Sequence, residues 1–497
     1  MTTSHLRSLP FTAAGRQALA IEAGVLALIV GAAAYVYTRN LHSYPNYDEG
    51  NYLGSLDALR HGQALGRDVF LDQPPGWYLL LVAVSYPFGN SVTGVRLGLV
   101  VVTLIAILAA YACGRLVGGA LAGITAAAVM AVARPLPGFA GTVESEPASA
   151  ALAVAAVAIA IYAYRGRLRP WAAVAAGAVL AASTAVKLPG ITAALPIAGL
   201  AVLCGSGRLR ARLLPPLAGA LAVLVAIVVG YRDALPQIWH GVFVTHARIL
   251  GSHTATSNLH RAATFVDPRT PFGCLVIAGA AASAVLAVRG HERRLLAALW
   301  LWAIGGYGFI LAMHPLNDHH FVFLAVSLAL PAGTGLGLAL EHRGLRRPVG
   351  AALVLLVAAF IAAGFVKDER EVAGNVMAEP AQIRWAVDQL AAHTTPGQLV
   401  VSDLPLVPYL AHRQMPGQLI DTSIARIAEE DLPPPQVLAL LDRARPAAVI
   451  IGRMFQTKQA IVTGVEQRFS RRLHYQLYPG YVDIYLEPRR WVTIQGR

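Results

Sequence analysis

The chain has 497 residues, of which 56% are hydrophobic and only 13% charged, and its mean hydropathy is +0.55. Apolar runs of about 18 or more residues recur along it, which excludes an ordinary soluble domain and places it among polytopic membrane proteins. The 40 Lys and Arg outweigh 27 Asp and Glu; in such a chain that surplus marks cytoplasmic loops and speaks against a nucleic-acid partner.

Arg7 and Arg16 precede a first apolar stretch near 18–36, in which Ala32 to Ala34 imitate a cleavage site. A run of about 19 residues is longer than a signal h-region, so the stretch reads as an uncleaved first helix. Candidate spans follow at about 96–114, 119–134, 147–164, 171–186, 190–205, 213–231, 272–288, 295–313, 320–340 and 349–366, about 11 with the first. Arginine clusters at Arg165, Arg167 and Arg169, at Arg208, Arg210 and Arg212, at Arg289, Arg293 and Arg294, and at Arg343, Arg346 and Arg347 all fall on one side of such a bundle. The positive-inside rule makes that side, and the N-terminus, cytoplasmic.

Trp77 to Phe88, ending in Pro87 and Gly89, is too short to cross and reads as a juxtamembrane helix on the outer side. An odd number of crossings leaves the C-terminus outside. The outer face then collects the loop around Asp48, the segment 135–146, the turn at Lys187, Pro189 and Gly190, the loop 231–271 and the segment 314–320. From about Lys367 onward the pattern changes. A helix around Pro380 to His393 and strands near Gln398 to Val401, Ala447 to Ile451 and Tyr481 to Leu486 predict a small α/β domain outside the membrane. The expected fold class is therefore a polytopic α-helical membrane protein with a C-terminal extracytoplasmic α/β domain. Residues 1–366 form the transmembrane part, with a first outer loop at 38–95, and residues 367–497 form the outer domain. Cys113, Cys204 and Cys274 lie in or beside apolar runs without metal-ligand spacing and read as small hydrophobes.

The polar residues on the outer side carry the candidate chemistry. Asp48 and Glu49, flanked by Tyr44, Tyr47 and Tyr52, lie about ten residues past the first span. They either supply a base of the kind that transfer to a hydroxyl requires or cap a helix starting near Gly50. Glu144 and Glu146 stand where the fourth span begins, as a second acidic group or as acids favoured at a helix N-terminus; Pro147 places Glu146 at the helix entrance. Lys187, among apolar residues in STAVKLPG, either snorkels or holds the phosphate of a lipid donor. Arg60, Arg67, Arg96 and Arg232 are further cationic candidates on that side. Asp318, His319 and His320 begin the tenth span; imidazoles there suit a phosphate, whereas two adjacent histidines on a helix point in different directions and do not share one metal ion. His240, His246, His253 and His260 are too widely spaced to make a metal series.

In that order, YDEGNYLGSLDALRHGQ with DQPPGWYLLL, ESEPASAAL, STAVKLPGITAALP and HHFVFLAVSLALPA resemble the motifs of the GT-C membrane glycosyltransferases, in the branch of protein O-mannosyltransferases and lipid A aminoarabinose transferases. The resemblance covers most of 1–340. It implies inverting transfer of a hexosyl or pentosyl group from a polyprenyl-phosphate donor to a lipid, glycan or protein acceptor outside the cytoplasm. Asp48, beside Glu49, would be the base or acceptor-orienting carboxylate and Glu146 the second acid. Lys187 would hold the donor phosphate, with His319, His320 and Arg60 as further donor contacts and Tyr47, Tyr52, Gln73 and Glu144 as substrate contacts. Gln73 stands where the family often has a basic residue, and His319-His320 replaces Arg-Tyr. Part of the superfamily uses a divalent metal; Mg or Mn would here fall to Asp48 and Glu146. The abundance of alanine, glycine and arginine points to a GC-rich bacterial genome, and hence to a bacterial plasma membrane. The competing reading from another class is a transporter or flippase of lipid-linked sugars, or a non-catalytic envelope assembly subunit. Against it, the acids gather on one face, with no paired interrupted spans at mid-membrane.

Overall fold

The computed structural model of the protein describes residues 13–165, 168–245, 255–341, 347–477 and 480–488. Arg7, Arg167, His246, His253, Arg343 and Arg346 lie outside them. In chain order the first elements are α1 (Ala13–Tyr37), α2 (Tyr47–Arg60), α3 (Pro75–Phe88), α4 (Val92–Gly118), α5 (Ala120–Ala131), α6 (Leu136–Ala140), α7 (Ser145–Tyr164) and α8 (Pro170–Val186). Long helices follow at Leu209–Gly230, Pro271–Val288, Arg293–Ala312, Phe321–Glu341 and Arg347–Gly374. Among the described residues eight helices are long and apolar enough to cross a membrane, and three shorter apolar ones are Ala120–Ala131, Pro170–Val186 and Leu188–Cys204. The protein is a multi-pass membrane protein. Leu188–Cys204 is broken into 3-10, α and π turns, and it carries Pro189 and Pro196, which remove backbone donors from a continuous helix.

The chain folds as two units. The helical unit comprises Met1–Leu41, Arg96–Ile227 and His253–Asn375. One of its seams joins α7 to α8, both rich in alanine, whose small side chains let helix backbones approach closely. Ser149 and Ser183 sew this seam: each hydroxyl donates to the other residue's carbonyl, at 2.8 and 2.7 Å. Gly190 lies against the pair, and a side chain there would sit 2.3 Å from the Ser183 hydroxyl. The last apolar helix runs on to Gly374, well past the boundary expected at 366.

The second unit comprises His42–Val95, Val228–Ser252 and Val376–Arg497, so the first loop and the tail fold together. Its sheet contains β1 (Val400–Ser402), β2 (Ala448–Ile451), β3 (Phe469–Leu477) and β4 (Gly480–Pro488), in the order β1-β2-β4-β3. β1 and β2 are parallel and the rest antiparallel. Alternation along the strands sends Val400, Ile450 and Ile484 to one face, against Ile383 and Leu390 of the Ala381–His393 helix. Val401, Val449 and Tyr485 go to the other, against Val437, Leu441 and Ile461. β3 is absent from the sequence reading because its Ser-Arg-Arg-Leu-His-Tyr run lacks a clean apolar alternation; charged side chains suit its place at the sheet's edge. α2 lies against the Leu406–Leu410 helix at Gly50, where a Cβ would meet the Leu406 backbone nitrogen at 3.1 Å.

Candidate active site

In the helical unit the Ser149–Ser183 seam fixes what lies one turn beyond it. Glu146 is three residues before Ser149 and Lys187 four after Ser183, and the Lys187 ammonium reaches Glu146 Oε1 at 3.0 Å. Glu146 is fully buried and the Lys187 side chain 11% exposed. A buried carboxylate this dry requires a cationic partner, and removing that partner is expensive. His319 and His320 complete the group, with Nε2 atoms 3.7 and 4.0 Å from the same oxygen. They sit on a 3-10 turn, Asp318–His320, not on an α-helix. This overturns the expectation that adjacent histidines diverge: their Nε2 atoms are 3.1 Å apart and the rings stand perpendicular. Phe139 and Phe309 pack edge-on against His319 and His320 respectively.

Among the described residues Glu146, His319 and His320 are the one group whose spacing could hold a metal ion, their ligand atoms lying within 4.8 Å of one another. Their hydrogen bonding fits an anion better. The Asn317 backbone N–H donates to His320 Nδ1 at 3.1 Å, which leaves the proton of a neutral ring on Nε2, where a metal would need a lone pair. The Lys187 ammonium already occupies the cation's side of Glu146. The His320 Nε2–H then points at His319 Nε2, 3.1 Å away, so the rings are paired with each other, and what the cluster offers a ligand is chiefly the Lys187 ammonium, backed by a carboxylate.

The second unit places the first-loop residues. Asn46 caps α2, accepting from the Glu49 N–H at 2.8 Å, while Glu49 Oε1 accepts from the Asn46 N–H at 3.3 Å. Glu49 is thus committed to a capping box, and of the acidic pair Asp48, on the first turn of α2 and half-buried, is the candidate base. The helix begins at Tyr47, three residues before Gly50. Tyr47 exchanges hydrogen bonds with Thr422, and the Arg453 guanidinium lies 3.6 Å from its ring centre. Burial pushes the Tyr47 phenol far above its ordinary range. Tyr52 packs on Trp77 and reaches Asp72 at 3.4 Å. Gln73, 6% exposed, also donates to Asp72, at 3.3 Å. Arg60 is engaged within the unit by Ser85 at 2.8 Å and by the Tyr86 ring. Glu144 is the buried N-cap residue of α7 in the helical unit. Arg67 pairs with Asp68 and Arg232 with Asp233, whereas buried Arg96 donates to the carbonyls of Asn40 and Leu41. His240 and His260 fall in different units.

A polar group in this unit was missed by sequence reasoning. Asp72 accepts from the Tyr78 hydroxyl at 2.5 Å as well as from Tyr52 and Gln73. Asp421 accepts from the Ser423 N–H at 2.8 Å and from Asn51 at 3.5 Å. Burial, reinforced by the charge of Asp72, raises the Asp421 carboxyl above its usual range. Arg426, 3% exposed and held down by burial, lies over the Phe70 ring at 3.6 Å and 3.5 Å from Asp431, which also meets His240 Nε2 at 2.7 Å. His240 and Arg426 both sit on π-helical turns, a geometry enriched at functional sites. Only Asp72, next to the Gln-Pro-Pro element, had a signal in the sequence.

No family model matches the chain, and no curated protein matches it in sequence. Solved structures do. ArnT from Cupriavidus metallidurans bound to undecaprenyl phosphate superposes with a TM-score of 0.65 at 16% identity, over 93% of this chain and 98% of that one. The chain has the GT-C fold. The oligosaccharyltransferase AglB from Archaeoglobus fulgidus, in complex with an inhibitory peptide and a dolichol-phosphate, shares this GT-C fold with a TM-score of 0.55 at 14% identity, over 95% of this chain and 74% of that one. The mycobacterial arabinofuranosyltransferase AftD matches with a TM-score of 0.56 at 16% identity, over 94% of this chain and 40% of its own length.

Proposed function

We propose that this GT-C chain is an inverting glycosyltransferase that moves a sugar from a polyprenyl-phosphate donor to a lipid, glycan or protein acceptor on the extracytoplasmic side of a bacterial plasma membrane. The observation that carries the reading is the buried Glu146, Lys187, His319 and His320 group at one end of the helical unit. Its donors suit a phosphate anion at the depth where a lipid headgroup lies. The ArnT and AglB structures, bound to undecaprenyl phosphate and to a dolichol-phosphate, support the donor class.

In the reaction, Lys187, with the paired histidine rings beside it, neutralises charge gathering on the phosphate as the C1–O bond breaks, and polyprenyl phosphate departs. Glu146 is a positioning residue: it orients Lys187 and both rings toward the anion. Asp48 takes the proton of the acceptor hydroxyl as the new bond forms on the opposite face of the sugar, inverting C1. Tyr47, Tyr52 and Gln73, tied to Thr422 and Asp72, shape the acceptor side. No metal enters this scheme.

Purified protein given a polyprenyl-phosphate sugar and an acceptor should release polyprenyl phosphate. Asp48→Asn should cut that turnover by about 100-fold or more. Undiminished turnover in Asp48→Asn removes it as the base, and no release across hexosyl and pentosyl donors removes the transferase reading.

A further inference from the structure

α7 carries Glu146 at one end and Arg165 just beyond the other, about 28 Å away at a rise of about 1.5 Å per residue. At that far end the helical unit has a second recess, of about 390 Å³, lined by Arg165, Arg293, Arg294 and Glu292 and walled by apolar residues including Leu200 and Leu203. Three guanidiniums face one carboxylate. Glu292 takes up only part of this charge, through a 3.4 Å contact with Arg165 Nη2. Arg165 Nη1 is buried and makes no hydrogen bond among the described residues. The positive-inside rule accounts for arginines in such loops, but it calls for neither a concave site nor a buried guanidinium nitrogen without an acceptor.

We propose that this recess binds the phosphate of an anionic lipid headgroup in the leaflet opposite the Glu146–Lys187 end of the helical unit. A phosphate oxyanion is the acceptor that Arg165 Nη1 lacks, and a planar fork suits it bidentately. The volume falls in the range of ligand pockets, about 300–1,000 Å³, and exceeds what an inorganic phosphate fills. Leu203 is 36% and Val202 49% exposed beside it, which provides an apolar surface for the acyl chains. Basic recesses at the ends of spans are where anionic headgroups lodge. The site is independent of the transferase reading.

The test is native mass spectrometry of the full chain released from nanodiscs containing phosphatidylglycerol and phosphatidylcholine. Wild type should retain one phosphatidylglycerol in preference to phosphatidylcholine. Arg165→Ala and Arg294→Ala should each weaken that retention about fivefold, as loss of one basic residue at an anionic surface does. Glu292→Gln should strengthen it, a gain that a folding defect does not produce. Equal retention of the two lipids, or retention unchanged in the Arg165→Ala/Arg294→Ala double variant, overturns the proposal. Displacement of the lipid by millimolar inorganic phosphate, with the same dependence on Arg165, also overturns it and assigns the recess to a soluble phosphate.

Discussion

Glu146 and Asp403 are both carboxylates with no solvent exposure, and they are held by opposite means. Glu146 meets charged or chargeable side chains: Lys187 at 3.0 Å and the two histidines at 3.7 and 4.0 Å. Asp403, beyond β1, accepts three backbone N–H groups, from Gly452, Arg453 and Phe455, each at 2.8 Å. Backbone donors are fixed by the fold and tie the loop after β2 to the end of β1. Side-chain donors can turn from a carboxylate to an incoming phosphate. Burial alone therefore does not separate a structural carboxylate from one set among side chains that a ligand could engage; the kind of donor that meets it does.

The largest effect expected from this contrast is at Lys187. Lys187→Ala should lower turnover by about 100-fold and raise the donor KM more than the acceptor KM, while leaving Glu146 buried without its nearest cation. A Glu146→Leu/Lys187→Met double variant should recover thermal stability without recovering turnover, since apolar replacement of a buried pair is often neutral. A double variant that is both stable and active would make the pair purely structural. His320→Leu, which removes the ring's N–H and its pairing with His319, should raise the donor KM about tenfold. Asp403→Asn should leave the donor KM unchanged and destabilise the loop-and-tail unit by about 1–3 kcal/mol, read by its thermal melting. The smallest effect is on pH dependence. Burial outweighs the three N–H donors and pushes Asp403 up to about 6, from 3.8. A raised carboxyl binds its proton more tightly when folded, so its stabilising contribution is complete below about pH 4 and is withdrawn as pH rises through about 6. Melting temperatures of wild type and Asp403→Asn measured from pH 4 to 7 should therefore differ in slope over that window. Parallel curves would show that Asp403 stays ionised throughout.

Much of this was legible in the sequence because membranes impose simple rules. Apolar length marked the helices, and polar residues stranded between them, Glu146, Lys187, His319 and His320, fall in one cluster. The convergence of the histidines was not legible, because a 3-10 turn sets ring directions that a helical wheel misjudges. Asp421, Arg426 and Asp431 were invisible for another reason. They lie in a tail with no recognisable motif, and they meet Asn51, Phe70 and His240 only through contacts spanning some 190 to 370 positions. Glu49 carried a local signal, the Asn46 capping box, that competed with its catalytic reading.

The interleaving of the second unit bears on how the protein is made. α2 emerges early in synthesis, yet the Leu406–Leu410 helix that covers Gly50 and the Met377 carbonyl that accepts from the Tyr44 N–H belong to the last quarter of the chain. Until that quarter has been made the early loop stays without its cover, exposed to proteases and chaperones. A chain that stalls near its final helix would therefore be inserted in the membrane yet incomplete, which gives quality control a natural checkpoint.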